Sequence, residues 1–344
     1  MRTRLLGMSP ARLKEIALEN GLPSFTGNQI ARWMYKGRAR SIDDMTNISK
    51  EGRARLAENY EVGIAEPSEV QTSRDGTRKY LFPVPGSDRA VEAVMIPDGD
   101  RKTLCVSSQN GCRMGCRFCM TGRGGYHGQL QVADILSQFL AVEEAGELTN
   151  AVFMGMGEPL DNWDNVNAAL EVLTSDWGFG WSPKRITVST IGVIPSLKNF
   201  LDGSRCHLAV SLHSPFADER ASIMPMQKAW PLNDVLDLVK SYDFTGQRRV
   251  SFEYTMFSGL NDSPRHADAL ASLLKGLECR VNLIRFHKIP DFPWSTSAPE
   301  RMEAFKERLE HQGVTVTIRA SRGEDILAAC GLLAGSRNKL PEER

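Results

Sequence analysis

Apolar positions in the first sixty residues recur at helical spacing. Ser9-Pro10 reads as a cap and first helical position, Leu13, Ile16 and Ala17 share one face, and Gly21 supplies a stop. Ile30, Trp33 and Met34 mark a second helix, and a third follows Ser49 toward Leu56. From about residue 66 the period shortens to that of strands. Asp75-Gly76 between two extended runs predicts a hairpin, and residues 91–96 and 103–106 read as two more strands joined across Pro97-Asp98-Gly99-Asp100.

Beyond residue 103, strand-like apolar runs alternate with helical patterns. The runs fall at 151–154, 186–189, 208–212, 250–255, 281–284 and 314–318. Helices are predicted at about 131–145, 164–173, 232–242, 264–275 and 299–311, with a last one at 323–334. Such alternation implies βα units on a parallel sheet, and six or so units predict an α/β fold built on a partial (βα)6-type barrel. Chemistry in such folds collects on loops at the C-terminal ends of the strands. The predicted organisation is a helical module at 1–60, a β-hairpin connecting region at 61–100, the partial barrel at 101–335 and a polar tail at 336–344.

Composition narrows the class. The chain has 344 residues, 41% hydrophobic and 24% charged, which excludes a disordered chain, a collagen and a coiled coil. No apolar run is long enough to span a membrane, and the first residues lack the apolar stretch of a signal peptide, so a cytoplasmic location and no membrane partner are expected. The 42 basic and 42 acidic residues cancel, yet residues 1–55 hold eleven bases and only five acids. That asymmetry suits an acidic partner such as a nucleic acid, and equally a solvated helical surface. An odd count of seven cysteines in such a chain does not resemble a disulfide framework.

Three of those cysteines crowd into Asn110-Gly111-Cys112-Arg113-Met114-Gly115-Cys116-Arg117-Phe118-Cys119-Met120-Thr121-Gly122, spaced C-x3-C-x2-C after a predicted strand. A structural zinc takes four ligands, commonly as two C-x2-C pairs, and no second pair exists here. A four-iron cluster also normally takes four cysteines; with three, one iron keeps an open position where a small molecule can bind. Unligated cysteines are the plainer alternative. The spacing resembles the radical S-adenosylmethionine (SAM) superfamily, in which the cofactor's amino and carboxylate groups chelate the open iron of a [4Fe-4S] cluster.

Further segments sharpen the resemblance: Leu104-Cys105-Val106-Ser107-Ser108-Gln109, Phe153-Met154-Gly155-Met156-Gly157-Glu158-Pro159-Leu160, Ser211-Leu212-His213-Ser214, and Gly323-Glu324-Asp325-Ile326-Leu327-Ala328-Ala329-Cys330-Gly331. Together they are similar to the RlmN/Cfr family of radical SAM RNA methyltransferases over nearly the whole chain. Pro159 after Glu158 resembles the RlmN branch, since the Cfr branch usually has Ala there.

The resemblance implies methylation of an adenosine in the peptidyl-transferase centre of 23S rRNA, at C2 in the RlmN branch or C8 in the Cfr branch. Some members also modify an adenosine beside the tRNA anticodon. It implies that Cys112, Cys116 and Cys119 hold the cluster and that Cys330 is methylated and carries the methyl group to the base. Cys105 then releases the product by a transient disulfide with Cys330, and Glu92 accepts the proton. Cofactor contacts are implied for Gly157, Glu158, Ser189, Ser211, Leu212 and His213. At the next position the family often has a Trp-Asn pair, and this chain has Phe286-His287, so His287 is expected to take the contact. An electron donor such as flavodoxin and a monomeric state are further expectations. The competing reading is a metal-binding RNA or assembly protein without chemistry, which would tolerate loss of Cys105 or Cys330.

Overall fold

The protein is described as a computed structural model over residues 2–246 and 248–335; the expected polar tail lies outside the described residues. Its centre is a ten-stranded sheet: β1 (Glu69–Thr72), β2 (Arg78–Pro83), β3 (Ala90–Asp98), β4 (Arg101–Cys105), β5 (Asn150–Phe153), β6 (Ile186–Thr190), β7 (His207–Ser211), β8 (Val250–Met256), β9 (Cys279–Arg285) and β10 (Thr315–Ile318). Neighbours in the sheet follow chain order from β1 to β10. The strands from β4 to β10 are parallel, and β1 to β4 are antiparallel. β10 and β1 do not pair, so the parallel part is an open, partial barrel.

The predicted strands appear because branched and aromatic residues alternate within them. On β8, Phe252 and Tyr254 face the helices, where Tyr254 meets Phe305 with ring centroids 5.3 Å apart, while Ser251 and Glu253 face the other way. The covering helices include Val132–Leu140, Trp163–Thr174, Leu232–Lys240, Pro264–Leu274 and Pro299–Glu310, as the spacing predicts. Two more, Ile194–Gly203 and Ala217–Ile223, escape the sequence reading: the first buries only Leu197, Phe200 and Leu201, and the second has seven residues with Ile223 as its one buried apolar side chain.

The N-terminal helices are α1 (Pro10–Glu19), α2 (Thr26–Tyr35) and α3 (Lys50–Asn59). The Ser9 hydroxyl accepts from Arg12 N and the Ser49 hydroxyl from Gly52 N, so both predicted starts are true caps. The module docks on the barrel through Tyr35, whose ring lies edge-on to Trp177 at 5.5 Å, and through the Arg4–Asp134 ion pair.

One predicted element is overturned. Residues 323–334 form no helix; a single 3₁₀ turn, Glu324–Ile326, gives way to irregular backbone. Leu327 and Gly331 have φ of 53° and 84°, outside the helical region. The reason is competition for hydrogen bonds. Asp75 in the hairpin turn accepts from Gly323 N at 2.9 Å, and Asp325 accepts from Ser73 Oγ at 2.5 Å and Arg74 N at 3.2 Å. Met120 N donates to Gly331 O at 2.8 Å, and Thr121 Oγ1 to Leu333 O at 2.7 Å. Glu92 accepts from Ala334 N and Gly335 N at 2.8 and 3.1 Å. The segment is therefore a strap, tied at one end to the β1–β2 turn, in the middle to the cysteine loop and at the other end to β3.

Candidate active site

The three clustered cysteines leave the C-terminal end of β4 on a loop closed by a small antiparallel ribbon, Gln109–Gly111 with Tyr126–Gln129. Glycine is required at one position and closely fitted at another. A Cβ on Gly111 would stand 1.9 Å from Gly125 O, and one on Gly122 would stand 3.0 Å from the backbone N and O of Cys116. Cys112, Cys116 and Cys119 are half-buried, and each lies within electrostatic reach of another. Burial pushes the Cys112 thiol up to about 12 and the Cys116 thiol well above its ordinary value. Among the described residues no three His, Cys, Asp or Glu side chains converge as a single ion would require. Neighbouring thiols without a common focus fit a polynuclear centre, where each iron takes its own thiolate, better than a zinc.

The expected cofactor residues line the strand ends beside this loop. Gly157 has φ 102°, and a Cβ there would lie 2.6 Å from Gln109. Glu158 is buried, and its carboxylate accepts from Leu160 N at 3.1 Å and Ile191 N at 3.0 Å. Burial pushes it up to about 7, against the pull of Thr190 and those two N–H groups. Ser189 pairs in register with Ala209, two residues before Ser211, so both serines face one side of the sheet. His213 is buried at φ 58°; its Nδ1 accepts from Thr255 N at 2.9 Å, and its ring lies edge-on to Phe118, between two of the cysteines. Burial and the Arg220 guanidinium push His213 down to about 3, so it is neutral with its proton on Nε2. Leu212 turns a fully buried side chain away and already engages both backbone groups, with Glu253 O and Arg220 Nε. His287 bonds Ser321 Oγ through Nε2 at 2.8 Å, which ties it to the strap's entry.

The strap brings Cys330, from the far end of the sequence, to the cysteine loop. Cys330 is exposed and Cys105 buried, and both are free thiols. Burial and then the charge of Cys330 push the Cys105 thiol up to about 12, opposed by a bond from Met154 and by Arg319. Crowding by the protein also raises Cys330; Arg319 opposes, while Glu253 and Cys119 add to it. Cys330 thus lies within electrostatic reach of both Cys105 and Cys119. Glu92 is buried on β3 with one carboxylate oxygen 3.2 Å from Lys79 Nζ and the other on the strap's two N–H groups.

Several residues of this site escape sequence reasoning. Lys79 looks like any strand lysine, and Arg319 like any strand-end arginine. Glu253 pairs with Asn282 at 2.7 Å and lies 3.8 Å from Arg319, leaving its second oxygen buried without a hydrogen bond. Gln109 has a faint signal, as the last residue of the motif that begins at Leu104: its amide accepts from Glu158 N and donates to Gln129 and Asp161.

An open parallel barrel whose first strand ends in a C-x3-C-x2-C loop is the architecture of a radical SAM enzyme. Residues 106–270 match the Radical SAM superfamily, and residues 3–62 match the Ribosomal RNA large subunit methyltransferase N-terminal domain. A probable dual-specificity RNA methyltransferase RlmN of Porphyromonas gingivalis is 59% identical over 99% of both chains. The dual-specificity RNA methyltransferase RlmN of Syntrophus aciditrophicus is 40% identical over 97% of both. The crystal structure of a radical SAM methyltransferase from Sphaerobacter thermophilus superposes with a TM-score of 0.91 at 37% identity, covering 97% of this chain and 100% of that one. The chain belongs to the RlmN family of radical SAM RNA methyltransferases, and with that family come a [4Fe-4S] cluster and SAM as cofactors.

Proposed function

We propose that the protein methylates C2 of an adenosine in 23S rRNA, at the peptidyl-transferase centre, and of an adenosine beside the anticodon of tRNA, with Cys330 as methyl carrier. The observation that carries this reading is the bonding of the strap to the cysteine loop right beside Cys330, through Met120 N to Gly331 O at 2.8 Å and Thr121 Oγ1 to Leu333 O at 2.7 Å. Adenine C2 is electron-poor and offers no pair to a sulfonium methyl group, so polar transfer straight to the base fails. A thiol can take that methyl group, which gives an otherwise isolated C-terminal cysteine its purpose.

Cys112, Cys116 and Cys119 would hold the cluster, and Glu158, Gly157, Ser189, Ser211 and His213 would orient SAM, with His287 at the rim; Leu212, whose backbone is already bonded to Glu253 O and Arg220 Nε, would only shape the wall beside them. Bound together, cluster and SAM supply a methyl group for a thiolate and, with one electron, a radical able to remove hydrogen from an S-methyl group. Cys330 Sγ accepts the methyl group; once one hydrogen atom has been taken from it, its carbon would bond to C2, and the unpaired electron left on the base would return to an oxidised one-electron acceptor such as the cluster. Glu92 takes the proton from C2, which requires Ala334 and Gly335 to release its Oε2. Cys105 Sγ then attacks Cys330 Sγ, the methylated base leaves, and the two sulfurs form a disulfide that a cellular reductant reopens.

The RNA would be drawn in by cations left unneutralised. Arg113 is committed to Asp161 at 2.8 Å and to the Tyr126 ring, and Arg123 to Asp291 at 3.5 Å. Arg117, exposed beside Cys116, has no ion-pair partner among the described residues. A base turned out of its stack costs a few kcal/mol, which phosphate contacts can offset. A one-electron donor such as flavodoxin, a monomeric state and a cytoplasmic location complete the reading; no helix among the described residues is long and apolar enough to cross a membrane. The test is to incubate reconstituted enzyme with 23S rRNA and tRNA separately, digest each, and compare with 2-methyl- and 8-methyladenosine standards by mass spectrometry. 2-Methyladenosine is expected from both; 8-methyladenosine alone would overturn the assignment.

A further inference from the structure

Arg220, on the helix Ala217–Ile223, is 1% exposed, the bulkiest fully buried side chain among the described residues. Its guanidinium is caged by neutral acceptors. Nε donates to Leu212 O at 3.1 Å, one terminal nitrogen to Ile191 O at 3.1 Å and Ser211 O at 3.0 Å, and the other to Gln227 Oε1. Among the described residues no carboxylate forms an ion pair with it. A buried cation without a countercharge costs several kcal/mol, so a cage this complete needs an anion nearby.

The helix points to which anion. Its last residue, Ile223, accepts through its carbonyl from Arg117 N at 2.9 Å, next to Cys116, and Ile223 and Met224 pack with Met114, Cys112 and Cys116. Among the described residues Arg220 lies within electrostatic reach of Cys116 and of His213, and His213 is neutral. Glu158 spends its nearby oxygen on Ile191 N, at the opposite pole of the residue whose carbonyl Arg220 holds.

We propose that Arg220 is a positioning residue that supplies the fixed countercharge to the cluster, so that its positive charge makes the cluster easier to reduce. The inference rests on the reading of Cys112, Cys116 and Cys119 as cluster ligands. Three thiolates around the oxidised core leave a net negative charge. Reduction adds one electron from a one-electron donor and no proton, so that negative charge grows by one. A fixed cation within electrostatic reach of Cys116 stabilises the reduced form more than the oxidised form. The carbonyl cage keeps the guanidinium from reorienting or drawing in water.

The experiment is a redox titration with dithionite, followed by electron paramagnetic resonance, on the anaerobically reconstituted holoenzyme without SAM. It compares wild type with Arg220→Gln, Arg220→Lys and Gln227→Glu. Gln227→Glu keeps the cage but places a carboxylate on the guanidinium, so it decides the matter if Arg220→Gln does not fold. At a fixed potential, Gln227→Glu and Arg220→Gln should each lower the ratio of reduced to oxidised cluster at least tenfold, about 59 mV for one electron. Arg220→Lys, which keeps the charge without the fork of donors, should stay close to wild type. Any pattern in which the shift does not follow the charge overturns the proposal, including unchanged potentials or an Arg220→Lys shift as large as that of Arg220→Gln. A wild-type protein with no cluster signal would instead sink the cysteine assignment, and this inference with it.

Discussion

At the residue scale the site separates two jobs that sequence spacing alone would merge. Cys112, Cys116 and Cys119 share one loop, whereas Cys105 and Cys330 come within electrostatic reach of each other only in the fold. Cys330→Ala should therefore keep the brown cluster absorbance and lose all methylation. Cys105→Ala should keep the cluster and leave RNA covalently attached to the protein, seen as a retarded band on a denaturing gel. Free RNA and normal turnover in either variant would refute the carrier mechanism. Glu158 gives a pH signature. Its carboxyl is pushed up to about 7, and only the ionised form can hold an ammonium group. Affinity for SAM should be steady above that pH and weaken about tenfold per unit below it, as protons compete with the cofactor. Equilibrium dialysis from pH 8 to 5.5 measures this. A flat profile in wild type, or unimpaired binding by Glu158→Gln, would remove Glu158 from the cofactor site.

At the element scale the informative piece is the strap, 323–335. Its two ends are fixed by carboxylates of the antiparallel region, Asp75 in the β1–β2 turn and Glu92 on β3, so the connecting region positions Cys330 rather than merely leading into the barrel. Asp75→Ala removes bonds from Gly323 N and Thr77 N, each about 1.5–3 kcal/mol to a charged acceptor. Amides in the strap's first turn should then exchange faster with deuterium while those of the barrel strands hold. Gly335→Ala acts at the other end, because its Cβ would stand 2.4 Å from Ala90 O at φ 66°. It should release the strap from Glu92 and cut methylation with the cluster absorbance intact. Unchanged exchange in both variants would show that the strap is held some other way. The strap is hidden from the sequence for a definite reason. Ile326, Leu327, Ala328 and Ala329 suit a helix, and only the partners waiting on the hairpin turn, the cysteine loop and β3 outweigh that local preference.

At the scale of the whole molecule, the zero net charge hides a division of labour. Of the N-terminal bases, Arg4, Arg12, Arg40 and Arg53 are paired with carboxylates, while Lys14, Arg32 and Lys50 are exposed and unpaired among the described residues. The excess charge in the first 55 residues is therefore partly spent on the fold and partly free for phosphates. RNA affinity should fall with salt on a log–log plot. Replacing Lys14, Arg32 and Lys50 together by Ala should flatten that slope by roughly 0.7–0.9 for each phosphate that is no longer neutralised. An unchanged slope would leave the module as a packing domain, the bland alternative its charge always allowed.

The sequence by itself determined what is local. Ser9 and Ser49 start helices because their hydroxyls cap the next turn, alternating apolar residues make the parallel strands, and three cysteines within eight residues must share a loop. Those features need only neighbours a few positions away. The tertiary structure decided what depends on distant backbone: the carbonyls of Ile191, Ser211 and Leu212 that cage Arg220, the path of the strap, and the approach of Cys330 to within electrostatic reach of Cys105. Buried charges and orphaned N–H groups must find partners wherever the chain brings them, and no spacing along the sequence encodes where that is.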